Sequence, residues 1–401
     1  MAGQTRQHMQ ENDESRETRT LREFADLEST MPSLSSRWNC SIKDNLTSHL
    51  GSKNPFYSFV HPDNHIVWLL DNTAWQPEDG KGAWKAEFVA AYFLKNSGHD
   101  TSKVVAYISE KIGLAKGDKA EVTIGKRVQP FLDSVLPAHA INIDGGKMGA
   151  LKLGPSGRDG ISSNELMLPG DDYTDGQSLQ AIGIDANATP LTTTFAKPTG
   201  WAVISDIDDT IKRTLTLSAI GILKTTFVDK PEPIEGMPEL YKHITEKLKG
   251  PPFWYLSASP YNLYPFLHEF RSTYYPHGTI VLRDASWMNL AGLLTNLTQG
   301  TQAYKTDRMD KIHRWFPRRK FLCIGDSTQT DPESYGEMFR RYPGWVCAIF
   351  IRKVTDIAEM DVSKNNSPER FEKAFKDVPQ DVWHVFEDPS ELYEKVAALE
   401  V

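Results

Sequence analysis

The chain predicts an α/β protein: a parallel-sheet domain covered on both faces lies at the C-terminal side, preceded by a smaller, mostly β accessory domain. Three observations predict it. In the second half, short apolar runs (Ala202–Ile204, Phe253–Leu256, Thr279–Leu282, Phe321–Ile324, Val346–Ile351) alternate with helical periodicities at Glu239–Lys249, Asp307–Phe316 and Pro389–Leu399. Such alternation implies a parallel sheet with helices on both faces. In the first half, strand-like runs are separated by Gly/Pro/Asp/Ser clusters. Finally, 401 residues exceed what one ordinary core accommodates.

Taken in order, residues 1–30 are polar and of mixed charge, and read as disordered or loosely helical. The accessory domain is expected over 31–190, with folded structure from about Asn54. Ile66–Leu70 reads as a strand and Asn72–Gln76 as its exit. Trp84–Leu94 and Ser102–Leu114 read as helices; in the second, Val104, Val105, Ile108 and Ile112 recur at helical spacing. Strands are expected at Glu121–Ile124, Ala140–Ile143, Ala150–Leu153 and Glu165–Leu168. The Thr/Pro-rich stretch 189–200 reads as a linker, and the second domain spans 196–401.

A formal net charge of −8 argues against general nucleic-acid binding, because nothing would neutralise a run of phosphates. Three cysteines fit a reducing, cytoplasmic compartment better than a disulfide framework. The N-terminal stretch lacks an apolar signal-peptide core, and no apolar run is long enough to predict a transmembrane segment.

The chemistry concentrates at Trp201-Ala-Val-Ile-Ser-Asp206-Ile-Asp208-Asp209-Thr210. Alternation along the strand puts Asp206 and Asp208 on one side at its carboxyl end, where open α/β sheets bind ligands. Two like charges so close need a cation or a shared proton. The motif therefore points to a Mg²⁺ site in which one carboxylate can attack phosphorus. Taken alone, it also fits a solvated acidic turn. Later strands end in Ser257 and in Asp326, and Lys305 stands just before a helix, at or near its amino end.

A carboxylate pair, a hydroxyl, a lysine and a further acidic loop, in that order, resemble the haloacid-dehalogenase (HAD) superfamily, whose catalytic domain is a three-layer, Rossmann-like parallel sheet. Finer features, Tyr255-Leu-Ser-Ala-Ser-Pro260, His277-Gly-Thr-Ile-Val-Leu-Arg-Asp284, Tyr304-Lys305 and Ile324-Gly-Asp-Ser with Asp331-Pro-Glu, are similar to the actin-patch-protein type of phosphatidate phosphatase. The resemblance is strong over 196–400 and faint before. The acidic loop departs from the family pattern, with Ser-Thr-Gln-Thr replacing the commoner Ser-Gly-Glu-x.

The resemblance implies hydrolysis of phosphatidate to diacylglycerol and phosphate through an aspartyl-phosphate. Asp206 is then the nucleophile, Asp208 the general acid and base, and Thr210 a hydrogen-bonding partner within the loop. Ser257, in preference to Ser259, and Lys305 contact the phosphoryl group. Mg²⁺ is held by Asp206, Asp208 (through its backbone carbonyl), Asp326 and Asp331, the last as ligand or as outer-shell orienter. Arg283 and Lys212 are candidates for the phosphate or head group, and Asp209 is structural. Leu215–Leu223 and Trp287–Leu297 are apolar segments that either pack inside or reach a bilayer. Implied partners are phosphatidate at a membrane surface, by peripheral contact, and endocytic or actin-associated proteins, with localisation at cortical actin patches. Two alternatives stay open: a phosphatase of phosphoproteins or soluble esters, and a catalytically silent adaptor.

Overall fold

The structure, a computed structural model, describes residues 24–32, 51, 53–77, 80–95, 97, 100–115, 117, 119–184, 187–283, 294, 297–357 and 361–400. It is a mixed α/β molecule built on two sheets.

The first sheet comprises β1 (Ser58–Phe59), β2 (His65–Leu69), β3 (Asn72–Trp75), β4 (Lys85–Leu94), β5 (His139–Asp144), β6 (Ala150–Leu153), β7 (Ile161–Met167), β8 (Ser178–Gly183), β9 (Asn187–Ala188) and β10 (Leu191–Ala196). It runs in the order β1-β5-β8-β10-β3-β4-β2-β9, with β6 paired to β5 and β7 to β4. The curled sheet wraps its own core of Trp84, Phe88, Tyr92, Ile141, Leu191 and Phe195. Helices α1 (Phe24–Thr30), α2 (Ser102–Lys111) and α3 (Ala120–Leu132) accompany it.

Several sequence expectations are corrected here. Trp84–Leu94 is not helical: Lys85–Leu94 is a strand, paired with β2, β3 and β7. Its alternate residues Ala86, Phe88, Ala90 and Tyr92 enter the first core, while Ala91 and Phe93 enter the cluster shared with the second sheet. A strand buried on both faces reads as one continuous apolar run, which periodicity alone cannot tell from a helix. Conversely, Glu121–Ile124 opens helix α3. There Ile124, Val128, Phe131 and Leu132 form a buried stripe at helical spacing, and tertiary packing overrides the β-branched start. Asn72–Trp75 is a strand and not merely an exit from one. The expected linker contributes β10, parallel to β3 and antiparallel to β8. Leu191, Thr193 and Phe195 point inward there, and β-branched threonines suit a pleated, half-buried strand.

Of the N-terminal stretch, residues 1–23 lie outside the described residues; Phe24–Thr30 is a helix whose Phe24 and Leu27 are buried.

The second sheet comprises β11 (Trp201–Asp206), β12 (Phe253–Pro260), β13 (Thr279–Arg283), β14 (Lys320–Asp326), β15 (Val346–Arg352) and β16 (Trp383–Phe386). Every pairing is parallel, in the order β13-β12-β11-β14-β15-β16. Its helices are α4 (Ala219–Leu223), α5 (Met237–Lys247), α6 (Tyr264–Tyr274), α7 (Thr301–Trp315), α8 (Asp331–Arg341), α9 (Val362–Asn365), α10 (Pro368–Ala374) and α11 (Tyr393–Ala397). β11 is buried throughout: Trp201 and Val203 join one apolar cluster, and Ala202 and Ile204 the opposite one. From β11 the chain builds outward through β12 to β13, then returns to β11's other side as β14. That reversal makes the carboxyl end of β11 a switch point, where the two flanking connections diverge and leave a crevice.

Two further placements concern the apolar segments. In Leu215–Leu223, Leu217, Ala219, Ile222 and Leu223 are buried, while Ile220 is 44% exposed. The Trp287–Leu297 segment lies outside the described residues except Leu294 and Leu297, which are buried. Among the described residues, no helix is long and apolar enough to cross a membrane. Cys323 and Cys347 are unpaired thiols, and Cys40 lies outside the described residues.

Candidate active site

The crevice brings together residues from three strand ends and two helices. Asp206 ends β11, Asp326 ends β14, and Asp331 opens α8; all three are buried, and one carboxylate oxygen from each lies within 4.8 Å of the others. Lys305 projects from the second turn of α7, so it belongs to the helix and does not precede it. Its Nζ lies 2.7 Å from Asp206 Oδ1 and also pairs with Asp331 Oδ1.

One lysine does not balance three buried carboxylates. Burial, reinforced by the charges of Asp331, Asp326 and Asp208, pushes Asp206 well above the usual carboxylate range, against the pull of Lys305. Asp326 is pushed up to about 7 by burial and by Asp331 and Asp209. For Lys305, burial disfavours the charge, but Asp206, Asp331 and Asp326 outweigh it and hold the ammonium protonated above its ordinary range. A surplus of hard carboxylate oxygens in one dry cluster is the donor set a small divalent cation needs. These residues therefore fit a metal.

Around the cluster, hydroxyls and backbone N–H groups fix the carboxylates. Thr210 Oγ1 sits 3.2 Å from Asp206 Oδ2 and 3.1 Å from Asp326 Oδ2. Thr328 donates its backbone N–H to Asp326 Oδ1 at 2.5 Å, and its hydroxyl reaches the same oxygen. The Asp326 N–H donates to Asp331 Oδ2 at 3.0 Å, closing the loop on itself. From behind, Arg370 donates to the carbonyls of Ser327 and Gln329.

The Asp208 side chain is held apart from the cluster of Asp206, Asp326 and Asp331. Ser257 Oγ donates to Asp208 Oδ2 at 2.6 Å, and Thr214 Oγ1 donates to Asp208 Oδ1 at 2.8 Å. Ser259 offers its backbone N–H to Ser257 Oγ at 3.0 Å. Asp209 turns the other way, at φ 60°, a left-handed conformation that aspartate tolerates. Its carboxylate accepts the N–H groups of Thr214, Leu215 and Thr216 and the Thr216 hydroxyl, at 2.7–2.9 Å.

Lys212 is buried beside this loop and donates to Thr214 Oγ1 at 3.0 Å and Arg213 O at 3.2 Å. Burial lowers its ammonium from the ordinary range, partly opposed by Asp208 and Asp209. Arg283 ends β13, donates to Gln299 O at 2.7 Å and lies over the Tyr304 ring, next to Lys305 in sequence. Sequence reasoning missed Thr214, Thr328 and Arg370. Each reaches the site through a loop or a separate helix, so no strand-end spacing marks it.

The comparisons with known proteins bear on the same region. Residues 201–353 match the family model described as "Phosphatidate phosphatase APP1, catalytic domain". Phosphatidate phosphatase APP1 of Saccharomyces cerevisiae is 30% identical over 176 residues, which cover 42% of this chain and 29% of the relative. An uncharacterized protein of Schizosaccharomyces pombe is 29% identical over 177 residues, covering 42% of this chain and 28% of that protein. The chain thus spans less than a third of the length of these curated relatives. The matched segment contains strands β11 to β15 and the whole acidic crevice, so the similarity falls on the site itself. More particularly, over residues 201–353 the resemblance is to phosphatidate phosphatases of the APP1 type.

Proposed function

We propose that this chain is a Mg²⁺-dependent phosphatidate phosphatase with a HAD-like catalytic domain, working through an aspartyl-phosphate at Asp206. The observation that carries the reading is the convergence of Asp206, Asp326 and Asp331, with Lys305 bonded to Asp206 and Asp331 and Asp208 held separately by Ser257 and Thr214. That division separates a nucleophile bonded to a lysine within a carboxylate cluster from a proton-transfer group in a hydroxyl-lined pocket.

Asp206, Asp326 and Asp331, with the Asp208 carbonyl, would hold the cation. When bound, Mg²⁺ supplies charge neutralisation between a carboxylate and a phosphate dianion that otherwise repel. Lys305, on Asp206 Oδ1, leaves Oδ2 for attack on phosphorus once Thr210 gives it up, and it offsets charge on the phosphoryl oxygens. Asp208, protonated, gives its proton to the leaving alkoxide oxygen. As carboxylate, it then takes a proton from the water that attacks the aspartyl-phosphate, releasing phosphate and regenerating Asp206. Ser257 and Thr214 hold the carboxyl in line for both transfers. Arg283 and Lys212 are proposed to neutralise the phosphate or head group. Buried Lys212 is the better placed, beside Thr214.

The lipid is supported by the names of the family model and of the Saccharomyces cerevisiae relative, and peripheral contact with a membrane, including at cortical actin patches, belongs to the same proposal. The test is phosphate release from phosphatidate in mixed micelles and from a soluble phosphate ester, with Mg²⁺ and with chelator. Wild type is compared with Asp206→Glu, whose attacking oxygen is displaced by one carbon–carbon bond and should lose about a hundredfold or more. Mg²⁺-dependent release from phosphatidate that disappears in the variant is expected. Turnover of soluble esters alone would remove the lipid from the reading, and no turnover by folded protein would leave the adaptor.

A further inference from the structure

The wall around this site is completed by an element from outside the matched segment. Helix α3 lies against the segments that follow β11 and β12. On one side is the flap, the apolar segment that follows the Asp-rich loop, runs through α4 and closes in a π turn at Lys224–Val228. Arg127, in the middle of α3, donates from Nη1 to Thr226 O at 3.1 Å and to Asp229 O at 2.7 Å. Phe131, one turn further, meets Phe227 edge-on at 5.8 Å between ring centroids. On the other side, the end of α3 receives Asn262, whose Nδ2 donates to Pro130 O at 2.8 Å. Asn262 stands in the turn that follows β12, a few residues beyond Ser257.

The physical need for this clamp is in the flap itself. A short helical segment ends with carbonyls that have no partner within it, and here two of them take charge-assisted bonds from one guanidinium. The flap is in turn wired to the reacting groups. Thr225 Oγ1 donates to Thr214 O at 2.8 Å, and the Thr214 hydroxyl holds Asp208 Oδ1. The guanidinium also lies 4.8 Å from the centroid of Phe266, the ring over which the Lys212 ammonium sits at 5.5 Å. Arg127 thus touches no reacting atom, yet its contacts lead by consecutive bonds to Asp208 and by one shared ring to Lys212.

We propose that Arg127 is a positioning residue for the phosphatase reaction, fixing the flap so that Thr214 presents Asp208. This rests on the function proposed above. The first-sheet region then serves as a structural part of the active site and not as a separate appendage.

The test uses the full chain, comparing wild type, Arg127→Ala, Arg127→Lys and, as a charge-matched control on the exposed face of the same helix, Lys126→Ala. Hydrogen–deuterium exchange over residues 214–229 is read alongside kcat and KM for a soluble phosphate ester. Arg127→Ala should raise exchange in that window and lower kcat about tenfold, with KM within about twofold, as misalignment of a proton-transfer group predicts. Arg127→Lys, whose ammonium keeps donors for the carbonyls but loses the guanidinium plane that lies 4.8 Å from the Phe266 centroid, should fall between. Lys126→Ala should match wild type. Unchanged exchange and kcat in Arg127→Ala, or an equal loss in Lys126→Ala, would overturn the proposal. If Arg127→Ala does not fold, Arg127→Lys decides by the same readouts. Absence of turnover in the wild type would count against the phosphatase reading, whereas the exchange data judge the brace independently.

Discussion

Asp326 shows how much of this site is decided by crowding of charge. With burial and Asp331 raising it to about 7, the carboxylate is held where its ionisation is costly, beside two others and one lysine. Replacing it by Asn keeps an oxygen for the Thr328 N–H and removes one negative charge. We expect Asp326→Asn to be at least as thermally stable as wild type in chelator. The same variant should lose the rise in Tm that millimolar Mg²⁺ produces in the wild type. Thermal unfolding with and without the cation checks both statements; an equal rise in the variant would place the cation elsewhere. At this scale Asp206, Asp208, Ser257 and Asp326 were legible from alternation and from the residues that close apolar runs, and Thr210, Lys305 and Asp331 only from their place in the motif series. Thr214 was not, because its contact with Asp208 depends on a left-handed turn at Asp209 that no periodicity reports.

Elements were legible in proportion to how locally they are determined. The strands of the second sheet are short apolar runs between helices, and each expected one is present. The errors fell where burial on two faces or a β-branched start hides the period, as in β4 and α3. β10 is the instructive case, since a Thr/Pro-rich stretch has the composition of a linker and the placement of a strand. Phe195 in its middle is fully buried, stacked on Tyr173 at 4.0 Å and edge-on to Trp84 at 5.1 Å. Phe195→Ala should therefore cost about 3–5 kcal/mol, the range for emptying a packed aromatic site, as measured by denaturant unfolding. A linker residue would cost almost nothing.

On the scale of the whole molecule, the two sheets share an apolar cluster and a buried ionic junction. The shared cluster runs from Trp68, Phe93, Ile108 and Phe131 to Val203, Phe227 and Tyr255. The junction is Asp71, between β2 and β3. Its Oδ2 accepts from Arg271 at 2.6 Å, His268 at 3.0 Å and His277 at 3.2 Å, and its Oδ1 accepts the Thr192 N–H at 2.8 Å. Burial alone would raise this carboxyl, but the hydrogen bonds from His268 and His277 outweigh it and hold it well below the carboxylate range. A depressed folded-state pKa contributes stability that is present above the ordinary value of 3.8 and lost as pH falls below it. Asp71→Asn, which strands a buried Arg271, should cost about 3 kcal/mol near neutral pH and flatten the acid limb of the stability curve below about pH 4. Stability measured against pH for both proteins checks the size and the sign together.

Sequence alone determined the parallel sheet, the order in which Asp206, Ser257, Lys305 and Asp326 follow one another along the chain, and the family these residues resemble. Each is a local pattern, written in alternation, helical spacing and the residue that closes a strand. Only the tertiary structure decided that the Asp208 carboxylate stands apart from the cluster of Asp206, Asp326 and Asp331, that the supposed linker is a strand, and that Arg127 from the first half of the chain holds the flap of the second. The last depends on contacts between residues about a hundred positions apart, and the energies of all three come from burial and hydrogen-bond geometry that no local pattern encodes.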